Sequence, residues 1–514
     1  MKKIFYIFII ASSGIIGLMS SCKKDKKITT TLDKIKDSVY LYAQEDYLWN
    51  TSLPSFTSFN PRSFSNAEDL TALTNEVNAL SQYAINPATS LPYEFYPPQP
   101  GQAKYSFIDN GAVSAELNGQ HGDFGFNIEY NTVNDLRVKY VYAGSPADLA
   151  GIKRGDQITS INNNTNLSYD APGHGTGTST NLNFVINAYT NSNTITMVLL
   201  KPNGSSKTVN LAIANYTVNP VLKDTVYDGG PGHKIGYIVF NSFTSDANAD
   251  PKLDAAFNYF TSQNITDLVV DLRYNGGGYV STAEYLDNLI VPASASGSLM
   301  YTAYYNSNLI NGKDPLLRNQ VRKDPNNGQV YNYAQIDFSP AAQAVNFAKK
   351  GSLNVNRVFF IITGSTASAS ELTINNLRPK MDVQFVGKKS YGKPVGFFDI
   401  DINKYQMYIP EFSTRNSAGQ GDYYTGMVPD STGYPGVNDY DDPTKDFGDP
   451  TETLLAHIIN YVKTGTYAIK NPVIQSAQSK LRTLSLHDPE KAALLLEGNK
   501  FNGMINNKNL KRKP

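Results

Sequence analysis

The sequence predicts a multidomain α/β protein with an N-terminal helical segment, a small β-domain and a larger core of alternating strands and helices. A chain of 514 residues is long enough for about two to four domains. Near the N-terminus, Leu32, Ile35, Val39 and Tyr42 follow one another at steps of three and four residues, which is helical spacing. From residue 217 to residue 465, apolar strands, glycine turns and helical patterns alternate, which favours a sheet covered by helices.

The composition sets limits on partners and cofactors. Basic and acidic residues number 45 each, so the formal net charge is zero and nothing in the overall charge favours nucleic acid as a partner. Hydrophobic residues make up 40% of the chain, enough for sizeable cores. No spacing of His, Cys and Asp typical of a metal site is present, so neither a metal nor a cofactor is expected.

The first 22 residues have the order of an export signal. Lys2 and Lys3 precede an apolar run from Ile4 to Met19, and two serines then precede Cys22, the one cysteine of the chain. This order is typical of a secretory signal, and a cysteine directly after small residues resembles a bacterial lipobox. We therefore expect residues 1–21 to be a lipoprotein signal peptide and Cys22 to be lipidated.

This interpretation implies an exported protein, lipid-anchored to a bacterial membrane and facing the periplasm or the cell surface. An ordinary signal peptide with an incidental cysteine is the alternative, since Met19 is not the commonest lipobox residue at its position. A permanent membrane anchor fits less well, because the apolar run is short for a transmembrane helix.

Residues 22–105 are predicted to form a tether and an N-terminal helical domain. The stretch "NAEDLTALTNEVNALSQYA" repeats the helical spacing, with Asn66 as the expected N-cap and acidic residues in the first turn. A Pro-rich stretch, "SLPYEFYPPQPGQ", indicates a domain boundary.

Residues 106–216 are predicted to form the small β-domain. In "LRVKYVYAGSPADLAGIKRGDQITSINN", a strand precedes a short helix that Ser145 caps and Pro146 begins. An Asn-Gly turn at Asn203 and Gly204 indicates a hairpin. The order resembles a PDZ domain, although another small β-domain with a short helix would share it.

The PDZ resemblance implies a peptide-binding site. The upstream "GDFGFNIEY" stands in the place of the carboxylate-binding loop, with its backbone N–H groups facing a peptide terminus and a peptide strand adding alongside. The expected peptide-binding residues are Gly122, Phe124, Gly125 and Phe126. A PDZ fold that has lost peptide binding remains an alternative.

In the core, residues 217–470, one serine has the position of a nucleophile. Ser368 follows the apolar strand "RVFFIIT" at the start of a predicted helix, where helix N–H groups face a ligand. A serine needs a base, and His233 and His457 lie in the core without a motif around them. As an isolated feature, Ser368 could equally be a helix N-cap.

Lys393 is the alternative base. It lies in the largely uncharged "SYGKPVGFF", with no acidic residue within five positions on either side. A lysine acts as a base only if its pKa falls towards neutrality, and a fall of about three units costs about 4 kcal/mol, which burial can supply. As an isolated feature, Lys393 could equally be a surface residue at a Gly-Pro turn.

A glycine turn supplies the third element. In "DLRYNGGG", Asp271 to Gly278, three glycines after an apolar strand permit a tight turn whose N–H groups could stabilise an oxyanion. A plain turn between a strand and a helix is the alternative, with Asp271 and Arg273 in structural roles.

Taken together, "DLRYNGGG", "GSTASASEL" and "SYGKP", behind a PDZ-like unit, resemble the C-terminal processing, or tail-specific, serine peptidases, over about residues 110–465. The resemblance implies a ClpP/crotonase-like α/β core without cofactors. It implies Ser368 as nucleophile, Lys393, 25 positions later, as base, and Gly277 and Ala369 as oxyanion-hole residues. Many members have a glutamine four positions after the lysine, where this chain has Phe397.

The expected function is that of a serine endopeptidase with a Ser-Lys dyad, which cleaves exported or misfolded proteins and recognises their C-terminal tails. A catalytically silent, PDZ-containing scaffold lipoprotein is the main alternative, and a His-based hydrolase of esterase type is a second. Proteins or peptides are the expected substrates, and the membrane is reached through the lipid anchor. Residues 471–514 are expected to be a polar tail, and the sequence does not define an oligomeric state.

Overall fold

The computed structural model describes residues 30–324, 327–355, 357–468, 486, 489–497, 501–506 and 510–513. The predicted signal peptide and Cys22 lie outside these residues. Among the described helices, none is long and apolar enough to cross a membrane.

The helices are, in chain order, α1 Thr31–Asp46, α2 Phe56–Phe59, α3 Asp69–Leu80, α4 Ala112–Leu117, α5 Pro146–Leu149, α6 Thr180–Thr190, α7 Asp246–Gln263, α8 Val280–Ile290, α9 Ser307–Ile310, α10 Ala369–Leu377, α11 Thr453–Thr464 and α12 Pro489–Glu497.

The strands are β1 Ile85–Asn86, β2 Leu91–Pro92, β3 Phe107–Asp109, β4 Gln120–Asp123, β5 Phe126–Thr132, β6 Asp135–Val141, β7 Gln157–Ile161, β8 Thr194–Leu200, β9 Ser206–Ala212, β10 Ala214–Thr217, β11 Val221–Asp228, β12 Lys234–Phe240, β13 Asp267–Asp271, β14 Gly277–Tyr279, β15 Leu299–Tyr305, β16 Val321–Lys323, β17 Val330–Asn332, β18 Ala344–Asn346, β19 Arg357–Ile362, β20 Asp382–Gly387, β21 Val395–Gly396, β22 Ile400–Ile402, β23 Tyr405–Tyr408, β24 Phe412–Asn416, β25 Gly436–Asn438 and β26 Gly503–Ile505.

The core sheet has the order β11-β12-β13-β19-β20-β25, with every pair parallel except β11 and β12. Successive side chains of a strand point to opposite faces. On β13, Leu268 and Val270 therefore pack with α7, α8 and α10, whereas Val269 packs with α11. Apolar side chains on both faces explain the continuous apolar runs of these strands, and the predicted mixed α/β fold is confirmed.

The small β-domain is an antiparallel sheet of order β5-β6-β7-β8-β9. As expected, the Ser145 hydroxyl caps α5 by accepting from the N–H of Asp148, and the β8–β9 hairpin spans the Asn-Gly turn. The strand β5 pairs with β6 on one side and is an edge of the sheet.

One helix start differs from the prediction. The helix α3 begins at Asp69 after Glu68, and the Asn66 side chain instead accepts from the N–H of Glu68, two residues on. An Asn side chain accepts a backbone N–H in a turn as readily as at a helix start, and here the turn competes successfully. The prediction of Asn66 as N-cap is therefore wrong.

The C-terminal residues also differ from the expected polar tail. In the described part of this segment, Phe501, Met504 and Ile505 are buried, and β26 pairs in parallel with β14 of the glycine turn. The helix α12 packs against β5 of the small β-domain. These contacts bring the end of the chain to both regions that the sequence marks as functional.

Candidate active site

Ser368 lies between β19 and α10, directly before the first residue of the helix, and its backbone is strained. Its φ is 57° and its ψ −103°, which is a costly conformation for a residue with a side chain. The side chain is fully buried, and its Oγ donates to the carbonyl of Val395 at 3.4 Å, a long hydrogen bond. A strained, small residue at a helix start is typical of functional sites, which favours more than a capping role for Ser368.

Lys393 is fully buried between β20 and β21. Its Nζ donates to the carbonyl of Asn502 at 2.6 Å and to that of Tyr105 at 3.5 Å. Burial lowers the pKa of this amine well below its usual value of 10.5, and the charge of Lys104 lowers it further. Glu94, Glu371 and Glu411 oppose that shift without reversing it. The amine is therefore biased towards the neutral form that a base requires.

Among the described residues, no hydrogen bond joins Ser368 Oγ to Lys393 Nζ. The amine is engaged by Asn502, and the hydroxyl is directed to Val395. The two side chains occupy one buried region, but the structure holds them in separate hydrogen bonds.

Glu371 links the backbones of the two residues. Its carboxylate accepts from the N–H of Ser368 at 3.0 Å and from those of Gly392 and Lys393, both at 2.8 Å. It also accepts from the Ser390 hydroxyl. Burial raises the pKa of this carboxyl, and the hydrogen bond from Ser390 opposes that rise. Sequence reasoning missed Glu371, although its spacing of three from Ser368 matches a capping box, which would have placed it beside the helix start.

A second lysine, half-buried, lies near the first. Lys104 Nζ donates to the carbonyls of Gly392 and Tyr424 at 3.1 and 3.3 Å, and burial lowers its pKa to about 8. The next residue, Tyr105, is held by Glu94, which accepts its N–H at 3.0 Å. No sequence signal identified Lys104 or Tyr105, because they lie almost 290 positions from Lys393.

Phe397 stands where the peptidases that the sequence resembles often have glutamine. Its buried ring lies 3.9 Å from Lys393 Nζ, measured to the ring centroid. The face of an aromatic ring attracts a cation and excludes water, but it offers no hydrogen-bond acceptor of glutamine type. In the described conformation, the amine donates instead to the backbone carbonyls of Tyr105 and Asn502.

The glycine turn lies against Ser368. Gly277 has a φ of +109°, and a Cβ on it would lie 3.1 Å from the Ala369 nitrogen and 2.2 Å from the Gly503 carbonyl oxygen. The two residues expected to form an oxyanion hole are therefore neighbours. The Gly277 N–H donates to the Asn275 side chain at 2.9 Å.

Charged residues fix the start of this turn. Arg273 forms buried ion pairs with Asp271 and Glu452 at 2.7 and 3.1 Å. Asn275 Nδ2 donates to the carbonyl of Phe240 at 2.8 Å. These contacts give Asp271 and Arg273 the structural roles considered above.

The two core histidines are engaged elsewhere. His233 pairs with Asp267 at 3.0 Å, at the opposite end of β13 from the glycine turn, and His457 pairs with Asp439 at 3.1 Å. In the described part of the chain, neither hydrogen-bonds Ser368. No group of three His, Cys, Asp or Glu that could hold a metal ion occurs among those residues.

The loop expected to bind peptide carboxylates has its own carboxylate. Asp123 accepts from the N–H of Gly125 at 2.7 Å and from the Tyr216 hydroxyl at 2.6 Å. The carbonyls of Phe124 and Gly125 accept from the N–H groups of Ala147 and Tyr142, both at 2.9 Å.

The other two expected peptide-binding residues are also engaged. Gly122 pairs with Asn215 across β4 and β10, and the Phe126 carbonyl accepts from the Tyr189 hydroxyl. The fold of this loop fits the resemblance, but several of its polar groups are satisfied within the chain.

Two segments of the chain are similar to known protein families. Residues 234–430 match the model of Peptidase family S41, and residues 137–170 match that of a PDZ domain. The chain therefore contains a segment similar to Peptidase family S41 and a segment similar to a PDZ domain. Its expected resemblance to C-terminal processing peptidases is confirmed.

Particular relatives are similar over part of the chain. A "Carboxyl-terminal-processing protease" of Picosynechococcus sp. is 24% identical over 287 residues, covering 55% of this chain and 56% of that protein. "Carboxyl-terminal-processing peptidase 1, chloroplastic" of Arabidopsis thaliana is 24% identical over 279 residues, covering 52% and 47%. The chain thus spans about half the length of the curated relatives it matches.

The fold has a solved counterpart. A crystal structure from Bacteroides fragilis, assigned to the S41 proteases, aligns with a TM-score of 0.52 and 20% identity, covering 83% of this chain and 97% of that one. At this identity the likeness concerns the fold alone.

Proposed function

We propose that this chain is a serine endopeptidase in which Ser368 and Lys393 form the catalytic dyad. The observation that carries the proposal is the buried amine of Lys393, whose pKa is well below its usual value, tied through Glu371 to a strained serine. The match to the S41 family supports the same reaction class.

The mechanism follows from the two groups. With its amine neutral, Lys393 Nζ accepts the proton of Ser368 Oγ as that oxygen attacks a peptide carbonyl. The N–H groups of Gly277 and Ala369 stabilise the oxyanion. Lys393 then gives the proton to the leaving amine, and water hydrolyses the acyl-enzyme.

Local changes must precede attack. Lys393 Nζ must leave the carbonyls of Asn502 and Tyr105 and turn to Ser368, whose Oγ must leave the carbonyl of Val395. The Gly277 N–H must also leave the Asn275 side chain. The described conformation is, in this proposal, a resting one.

The proposed substrates are exported or misfolded proteins whose C-terminal tails the PDZ domain captures. The proposed location is outside the cytoplasm, with Cys22 as the lipidated residue. Substitution Cys22→Ser should move the protein from the membrane fraction to the soluble fraction, and continued attachment would contradict the anchor.

Activity on an unfolded protein with an apolar tail tests the enzyme proposal. Ser368→Ala and Lys393→Ala should both abolish cleavage while leaving the fold intact. Ser370→Ala is the matched control, because it removes a neighbouring buried hydroxyl that donates to the Asn275 carbonyl, and it should retain measurable activity. Equal rates for wild type and Ser368→Ala would show that the dyad is wrong.

A catalytically silent peptide-binding scaffold is the second candidate. Two observations favour it: Phe397 replaces the usual glutamine, and Ser368 and Lys393 share no hydrogen bond. Peptide binding by a wild-type protein that never cleaves would select this candidate. Full activity of Lys393→Ala would instead favour a hydrolase of esterase type.

A further inference from the structure

The C-terminal arm, defined here as α12, Phe501–Asn506 and Leu510–Lys513, crosses the catalytic region. Its middle part contains β26, which lies between β14 of the glycine turn and Phe397. The middle part of the arm is thus an extended segment placed directly beside the proposed catalytic groups.

The arm is held there by main-chain hydrogen bonds on both sides. The Gly503 N–H donates to the Gly276 carbonyl at 2.9 Å. On the other side, the Phe397 N–H donates to the Met504 carbonyl at 2.9 Å, and the Asn506 N–H donates to the Phe397 carbonyl at 2.8 Å. Main-chain pairing is how a sheet edge binds an extended peptide of any sequence, and here it occurs on both sides of the segment.

The arm also engages the proposed base. Lys393 Nζ donates to the Asn502 carbonyl at 2.6 Å, the shorter of its two hydrogen bonds. The next residue, Gly503, brings its carbonyl oxygen so close to Gly277 that a Cβ there would lie 2.2 Å away. A peptide carbonyl therefore already lies beside the residues proposed to stabilise an oxyanion.

Side chains of the arm fill apolar space on either side of Gly503. The Phe501 ring lies 5.9 Å from that of Phe107, in an edge-to-face contact. Met504 is fully buried in the main core, and Ile505 is buried near Phe397. A Cβ on Gly503 would lie 2.5 Å from the Phe501 ring and 2.9 Å from that of Phe397, so the central position accepts only glycine without rearrangement.

The same arm is anchored at the PDZ domain. Ala492 and Leu496 of α12 belong to the apolar cluster of that domain, together with Phe126 and Ile128 of the edge strand β5. The arm thus contacts both regions at which the proposed function places a substrate.

From these contacts we propose that the catalytic cleft binds extended polypeptide as a strand between β14 and Phe397, and that Phe501–Asn506 is its resident ligand. The ligand class is a main chain with a glycine next to the catalytic groups and apolar side chains on both sides of it. Occupied in this way, the cleft excludes other polypeptides. The inference rests on the proposed function for its catalytic consequence, but the binding site stands on geometry alone.

Gly503→Pro tests the occupancy in the full-length chain. Proline removes the N–H that pairs with Gly276 and places ring atoms against Phe501 and Phe397. Lys511→Pro, at an exposed position of the same arm, is the matched control. Gly503→Pro should raise the cleavage rate about tenfold, while Lys511→Pro stays within about twofold of wild type.

A binding measurement separates this inference from the enzyme proposal. The probe is a fluorescent peptide of sequence Phe-Asn-Gly-Met-Ile-Asn with blocked ends, added to full-length protein carrying Ser368→Ala and Gly503→Pro. Saturable binding is expected, together with its loss when proline replaces glycine in the peptide. Thermal unfolding of each variant checks that the fold is retained.

The cleavage and binding measurements together test the resident ligand and the peptidase separately. Peptide binding together with cleavage that Gly503→Pro accelerates supports both proposals. Peptide binding with no cleavage by any variant supports the resident ligand and contradicts the peptidase. Absence of peptide binding overturns the resident ligand, and so do equal cleavage rates for Gly503→Pro and a wild type that cleaves.

Discussion

Ser368 and Lys393 donate their backbone N–H groups to the same oxygen, Glu371 Oε2, at 3.0 and 2.8 Å. One buried carboxylate therefore fixes the distance between the loop of the proposed nucleophile and the loop of the proposed base. Neither side chain is needed for this contact, so the alignment survives whatever rotamer the lysine adopts.

Glu371→Ala should therefore damage both stability and activity. It leaves four donors without their acceptor, which is expected to cost about 3 kcal/mol in the free energy of unfolding. Glu371→Gln keeps one acceptor oxygen and should lose less. Denaturant unfolding and kcat measure the two effects. Glu68→Gln, on an exposed surface, is the control and should change stability by no more than about 0.5 kcal/mol.

The rate of cleavage should depend on the ionisation of Lys393. Below its pKa the amine is protonated and cannot accept a proton, so kcat/KM should rise with pH, with a midpoint well below 10.5. Lys393→Arg should be inactive at every pH, because arginine stays protonated. A rate independent of pH across the neutral range would contradict a lysine base.

The same group should make stability depend on pH. The folded-state pKa of Lys393 is depressed, so between that value and the unfolded value of about 10.4 the unfolded chain binds more protons. Stability contributed by this site should therefore increase with pH over that interval. Unfolding of wild type and Lys393→Met at several pH values isolates the contribution, and an identical pH dependence for the two proteins would refute it.

Phe397 should raise the pKa of the amine beside it, since an aromatic face stabilises a cation by about 0.5–1 kcal/mol. Phe397→Leu still excludes water from the site but removes the attraction between ring and cation. The midpoint of the pH–rate profile should therefore fall by about half a pH unit. Phe398→Leu is the matched control. Its ring packs on Tyr333 and Phe338, so it should reduce stability without moving the midpoint.

Gly277→Ala should reduce the stability of the fold by far more than the positive φ of this residue alone explains. Positive φ by itself costs about 1 kcal/mol or somewhat more. Gly297 has a φ of +84° with open space around its Cβ position, so Gly297→Ala measures that cost alone. The excess for Gly277→Ala, read from thermal unfolding, reports the steric contacts of the added Cβ, of which the collision with the Gly503 carbonyl at 2.2 Å is the most severe. Equal effects of the two substitutions would show that the arm does not approach Gly277 in solution.

Much of the architecture was predictable because it is local. Helical spacing located α1, continuous apolar runs located β13 and β19, and the short helix after Ser145 followed from its cap and its proline. The position of Ser368 between a strand and a helix was predictable for the same reason, whereas its role as nucleophile came from the family resemblance.

The surroundings of Lys393 were not predictable, because they come from distant parts of the chain. Tyr105 and Asn502 meet the amine across 288 and 109 positions, and nothing in their own neighbourhoods marks them. The buried strand around Met504 has only three residues in an Asn-rich segment, too short for a recognisable alternation.

The hydrogen bond between Lys393 and Asn502 affects how a substrate can compete with the arm for the cleft. A ligand joined to its site by the same chain competes at an effective concentration that is on the order of millimolar for a short flexible connection. A free polypeptide at micromolar concentration would have to bind about a thousandfold more tightly than Phe501–Asn506 to displace it by mass action. A tail held by the PDZ-like domain, as proposed above, would itself be tethered and would compete on equal terms. Such competition would make the enzyme selective for polypeptides bound at two places.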